Sequence, residues 1–65
     1  MNIVIGETYK SPKHGRLIQV MGIQSQNDTE YNLAILYVDK DTYQTEAADL
    51  KVSKSDVKAW TPVNY

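Results

Sequence analysis

Apolar residues recur along this chain mainly at every second position, the period that sends alternate side chains to opposite faces of a β-strand. Residues 2–5 form a short β-branched run that predicts a first strand, broken at Gly6, with residues 7–10 either continuing it or opening a new one. Ser11-Pro12-Lys13-His14-Gly15 predicts a turn: Pro12 fixes its own φ and pushes Ser11 out of the helical region, and Gly15 is free to take the positive φ of a hairpin exit. Residues 16–23 predict a second strand, with Ile18, Val20 and Gly22 on one face and Leu17, Met21 and Ile23 on the other beside Gln19. Apolar residues on both faces predict a strongly curved strand covered on two sides, and Gly22, with no Cβ, is the expected place for a bend or bulge.

Residues 24–29 are polar and without period, which predicts an exposed loop. Glu30–Val38 is the most apolar segment. Tyr31, Leu33, Ile35 and Tyr37 share one face and Ala34, Leu36 and Val38 the other, as in a strand buried on both sides or part of a helix; two tyrosines, an isoleucine and a valine favour the strand. Asp39-Lys40-Asp41 predicts a short turn into an antiparallel neighbour over residues 42–52, with an irregularity near Ala47-Ala48, where Glu46 to Leu50 also has helical character. Residues 53–57 predict one 3₁₀ or α turn capped by Ser53, with Asp56 three positions on. Residues 58–63 then close as a strand that Pro62 confines to an edge or brings to an end. Five short strands with one helical turn before the last, and no long helix, predict a single mostly-β domain over residues 1–65, a five-stranded SH3-like barrel. An OB-type barrel normally needs more chain and a helix between its third and fourth strands.

Composition narrows this picture. A chain of 65 residues has room for one small core, and it has no cysteine with which to staple the fold or build a thiolate metal site. His14 is its only histidine, so no His-based metal cluster forms without carboxylates or a second chain. The N-terminal apolar run stops at Gly6 and no stretch approaches the ~20 apolar residues that span a bilayer, so a soluble, cytoplasmic protein is expected.

Seven basic residues stand against eight acidic ones, a formal charge of −1, where a dedicated nucleic-acid binder usually carries a basic excess. The charges are nevertheless grouped. Lys10, Lys13 and Arg16 surround the first turn, and Lys51, Lys54 and Lys58 recur near the end; a local basic face requires the two groups to meet. With tyrosines between them, they would suit single-stranded nucleic acid, bases stacking on rings while lysines follow phosphates. Tyr9, Tyr31, Tyr37, Tyr43 and Trp60 supply the rings; with no phenylalanine in the chain some must form the core, Tyr37 and Trp60 foremost, leaving Tyr9 and Tyr43 exposed for binding. His14 reads as an exposed loop residue, lacking a nucleophile and an orienting carboxylate at recognisable spacing. Asp39-Lys40-Asp41 reads as a turn, because Tyr43 and Thr45 do not continue the ligand pattern of a calcium loop. No catalytic residue, metal site or cofactor is assigned.

Gly6-x-x-Tyr9, Gly15, Val20-x-Gly22-Ile23 and Ala34-x-Leu36-Tyr37 together resemble a family of small bacterial SH3-like domains of unknown function, related forms of which are common among phage and prophage proteins. The likeness runs over residues 6–60 and rests on structural positions. The chain lacks the tryptophan-arginine-proline stretch usual late in that family, with Lys51-Val52-Ser53 near that place. The resemblance implies the fold and no activity. The resulting expectation is a non-enzymatic binding or regulatory module for a protein partner, monomeric or weakly dimeric through its sheet edges. Its expected binding set is Tyr9, Lys10, Lys13, Arg16, Tyr43, Lys51, Lys54 and Lys58. The alternative is a nucleic-acid-binding barrel that uses the basic face, and an enzyme comes a distant third, since so short a chain rarely encloses a water-excluding site.

Overall fold

The structure, a computed structural model, describes residues 3–63. The chain forms β1 (Thr8–Lys10), β2 (Leu17–Gln26), β3 (Glu30–Val38), β4 (Thr45–Ser53), the one-turn helix α1 (Lys54–Val57) and β5 (Thr61–Pro62). All strand pairings are antiparallel in one five-stranded sheet of order β4-β3-β2-β1-β5. The fold is therefore mostly β, as expected, and β4 and β5 are its two unjoined edges. Among the described residues no helix is long and apolar enough to cross a membrane.

The strand expected over residues 2–5 is absent: Ile3–Ile5 lie outside the sheet, and Asn2 lies outside the described residues. The cause is Gly6, which adopts φ +92°, a conformation open to glycine at little cost. The resulting turn lets the Gly6 N–H donate to the Val20 carbonyl at 2.7 Å, while the Val20 N–H donates to the Glu7 carbonyl at 3.0 Å. A new strand, β1, then begins at Thr8. Gly15 has no positive φ, contrary to expectation, and the 11–14 turn is held instead by Ser11, whose carbonyl accepts from the His14 N–H and whose hydroxyl accepts from the Lys13 N–H.

The irregularity expected at Gly22 is real and lies one residue earlier. Val20 pairs with Ile35 and Gly22 with Ala34, so Met21 is an extra, bulged residue; Gln24 is a second, between the Ile23–Leu33 and Ser25–Asn32 pairs. The expectation of cover on both faces holds only for the first half of β2. There Leu17, Ile18 and Val20 are buried, whereas Met21 and Ile23 are exposed. β2 also runs to Gln26, where a loop was expected. The true loop is Asn27–Thr29, closed by Asn27 Oδ1 accepting from the N–H groups of Thr29 and Glu30. This end of the hairpin reads as loop because it projects past the core: Ser25 and Asn32 face each other in water, with the Asn32 amide donating to the Ser25 hydroxyl at 2.7 Å.

At the other hairpin the turn is longer than expected and takes Thr42, Tyr43 and Gln44 out of β4. Asp39 Oδ1 accepts from the Asp41 and Thr42 N–H groups, the Tyr43 N–H donates to the Asp39 carbonyl, and Tyr43 sits at φ +60°. β4 then pairs with β3 without interruption from Thr45↔Val38 to Ser53↔Glu30, so no irregularity occurs at Ala47-Ala48. The helical tendency of that segment yields to a complete ladder, since propensities are small beside tertiary pairing.

One core cluster joins every part of the sheet: Tyr9 of β1, Ile18 and Val20 of β2, Leu33 and Ile35 of β3, Val52 of β4, Val57 of α1 and Trp60. α1 starts as expected, with the Ser53 hydroxyl accepting from the Asp56 N–H. The expected strand over 58–63 shrinks to Thr61–Pro62, because the Ala59 and Trp60 N–H groups still bond back to the Asp56 and Val57 carbonyls. That extra turn carries Trp60 into the core, 5.9 Å from the Tyr9 ring. Pro62 sits at an edge, where its missing donor matters least.

Candidate binding surfaces

Pairing across β2, β3 and β4 assigns each side chain to a face. Tyr31, Leu33, Ile35 and Tyr37 of β3 face the core side with Ala48, Leu50 and Val52 of β4; Ala34, Leu36 and Val38 face outward with Ala47 and Asp49. The outer face is not polar. Leu17 and Val38, a cross-strand pair on it, are buried, and beyond them opens a shallow groove of about 350 Å³. Alanines 34 and 47 leave room at its floor, Leu36 and the bulged Met21 supply apolar walls, and Asp49 stands at the rim. Met21 is 50% exposed there. The sequence shows the components, apolar residues on both faces of two strands, but not that the bulge lifts Met21 out into water.

The basic residues singled out from the sequence have different local partners. Lys13 Nζ lies 3.0 Å from Asp56 of α1. Arg16 lies 3.0 Å from Glu46 of β4, with its guanidinium 4.1 Å from the centre of the Tyr37 ring. Lys51 lies 3.7 Å from Glu30, and Lys54 stands 5.0 Å from the Tyr31 ring centre. Lys10 of β1 is exposed, as is Lys58, the C-cap of α1. The first turn thus meets the end of the chain at Lys13 and α1, but through an acidic residue; Arg16 turns instead toward β4. Carboxylates or rings thus stand beside Lys13, Arg16, Lys51 and Lys54.

Tyr9 corrects the expectation of an exposed ring. It is only 1% exposed, between β2 and β5, and its hydroxyl accepts from the Val4 N–H at 3.0 Å. Of its two polar neighbours only Lys10 is exposed; Thr8 is buried as well, so period-2 alternation does not mark Tyr9 as the inward residue. Trp60 is buried as expected, Tyr43 is 65% exposed as expected, and Tyr37 is only half-buried. His14 is also half-buried rather than exposed, its Nδ1 3.0 Å from the Ser11 hydroxyl and its ring 6.1 Å from that of Tyr37.

Arg16, Tyr37, Asp39 and Glu46 line a second, smaller hollow of about 150 Å³. The Thr42 and Asp41 N–H groups hold the Asp39 carboxyl below the ordinary carboxylate range. At α1 the Lys13 ammonium, with the Ser53 hydroxyl, does the same for Asp56. Both carboxylates serve turns and caps.

No protein-family model matches this chain, and neither a curated protein nor a solved structure matches it.

Proposed function

We propose that the protein is a non-enzymatic module with an SH3-like barrel fold that binds an apolar segment of another protein in the outer groove of β2, β3 and β4. The strand order with its single helical turn before β5, wrapped around one core cluster, supports the barrel reading. The groove itself carries the functional reading: an exposed methionine over a floor of alanines is an adaptable apolar surface. The absence of a basic excess and the engagement of Lys13, Arg16 and Lys51 by carboxylates favour a protein over a nucleic acid.

Peptides selected from a random library on the immobilised protein test this. They are expected to carry apolar side chains, to shift the amide resonances of Met21, Leu36 and Ala47, and to lose binding to Met21→Glu. Failure to select any peptide, or selection of peptides indifferent to Met21→Glu, defeats the reading. Shifts around Lys10, Lys13, Arg16 and Lys58 with a mixed oligonucleotide, abolished by salt, would put nucleic acid in its place.

A further inference from the structure

We infer that the free edge of β4 is an interface for a second copy of this chain, joined antiparallel about Leu50. This does not rest on the groove, which opens on the outer face of the sheet, although Asp49 of the edge strand borders both. β4 ends the sheet, and among the described residues no strand pairs with its outer side. It is nine residues long and free of bulges, whereas exposed edges are commonly shortened, kinked or blocked by proline.

The backbone bonds at both ends of the β3–β4 ladder set its phase. The Lys54 N–H donates to the Thr29 carbonyl, and the Gln44 carbonyl accepts from the Asp39 N–H. With an unbroken register between them, even-numbered residues of β4 turn their N–H and C=O groups toward β3. Thr45, Ala47, Asp49, Lys51 and Ser53 therefore turn theirs to the open edge.

A two-fold axis normal to the sheet keeps the core-side and outer faces continuous, so paired residue numbers must add to an even total. Centring on Asp49 sets that carboxylate against its own copy, which is unfavourable. Centring on Ala48 pairs Glu46 with Leu50 and leaves Asp49 opposite Ala47. Centring on Leu50 places Asp49 opposite Lys51 twice, both as hydrogen-bonded pairs, with Leu50 against Leu50 and Ala48 against Val52. Leu50 is half-buried at the end of a row formed with Ile23 and Leu33, and its copy would extend that row into a second molecule. The intramolecular partners that must adjust are Gln24, which is exposed and donates to Asp49, and Glu30, which is half-buried and lies 3.7 Å from Lys51.

The test is sedimentation equilibrium from micromolar to millimolar chain on the wild type, Asp49→Lys, Lys51→Asp and the double variant, with an amide spectrum confirming that each is folded. Dimerisation is expected in the wild type. Each single reversal should raise the dissociation constant about tenfold, since two cross-strand pairs become repulsive, and the double variant should restore it. The N–H groups of Asp49 and Lys51 should gain protection from hydrogen exchange with concentration, while those of Ala48 and Leu50 are protected throughout. A monomer across the whole range, a dimer indifferent to the single reversals, or no recovery in the double variant overturns the inference. None of these readouts involves a peptide, so failure here and failure of the groove are separate results.

Discussion

At one end of the sheet stands β5, two residues long with Pro62 in it; at the other stands β4, nine residues long and unbroken. The short edge offers no template to a passing strand, since one of its residues has no N–H at all. It is held by what precedes it: Trp60, 3% exposed, is seated against Tyr9, and the Val63 N–H reaches the Thr8 carbonyl. The long edge is held by its ladder to β3 and keeps half-buried Ala48 and Leu50 beside solvent. An edge anchored by one large side chain has little backbone to offer, whereas an edge anchored by pairing leaves half of its peptide groups facing out.

The sharpest way to break this contrast is at Trp60. Trp60→Ala should cost ~3–5 kcal/mol, against a total stability of ~3–10 kcal/mol for a chain this size. Urea unfolding followed by circular dichroism should find the variant largely unfolded; a loss below ~1 kcal/mol would mean that β5 is not anchored through its tryptophan. The β4 side is sharpened by a proline pair. Ala47→Pro removes an N–H directed at the open edge, while Ala48→Pro removes one bonded to β3, so Ala48→Pro should be the less stable by ~1–3 kcal/mol in thermal melts. Equal losses would refute the assigned ladder phase.

The smallest effect concerns the clasp between Lys13 and α1, the helix that joins the two edges. The carboxyl of Asp56 is held below its ordinary range in the fold, so its contribution is present above the unfolded value and fades as pH falls through the carboxylate range. Acid melting curves should therefore decline less steeply for Asp56→Asn than for the wild type, by a small margin because the group is exposed. Identical slopes would show that the clasp contributes nothing.

What could be read in advance was what local chemistry decides. β3 announces itself by a nearly continuous apolar run that includes two tyrosines, an isoleucine and a valine, and α1 by the Ser53 cap. The end of β2 over Gln24, Ser25 and Gln26 could not be read, because all three are exposed and a strand with water on both faces has no apolar period. Nor could the loss of Thr42, Tyr43 and Gln44 from β4, which follows from the Asp39 side chain capturing two N–H groups. The partners of the basic set were illegible for a different reason: Arg16 and Lys13 meet carboxylates 30 and 43 positions away, which only the completed topology brings near. The outer groove depends likewise on a bulge at Met21.

The order of the strands also bears on how the chain reaches this state. β2, β3 and β4 are consecutive neighbours joined by short hairpins, whereas β1 and β5 pair across nearly the whole described chain. Closing a hairpin takes microseconds, while a contact of such separation must first overcome the entropy of the long loop it closes. The three-stranded meander is thus the natural nucleus, and the β1–β5 seam with its Tyr9–Trp60 contact is sealed late. Mutations in the seam then act chiefly on the rate of unfolding, and those in the meander on the rate of folding.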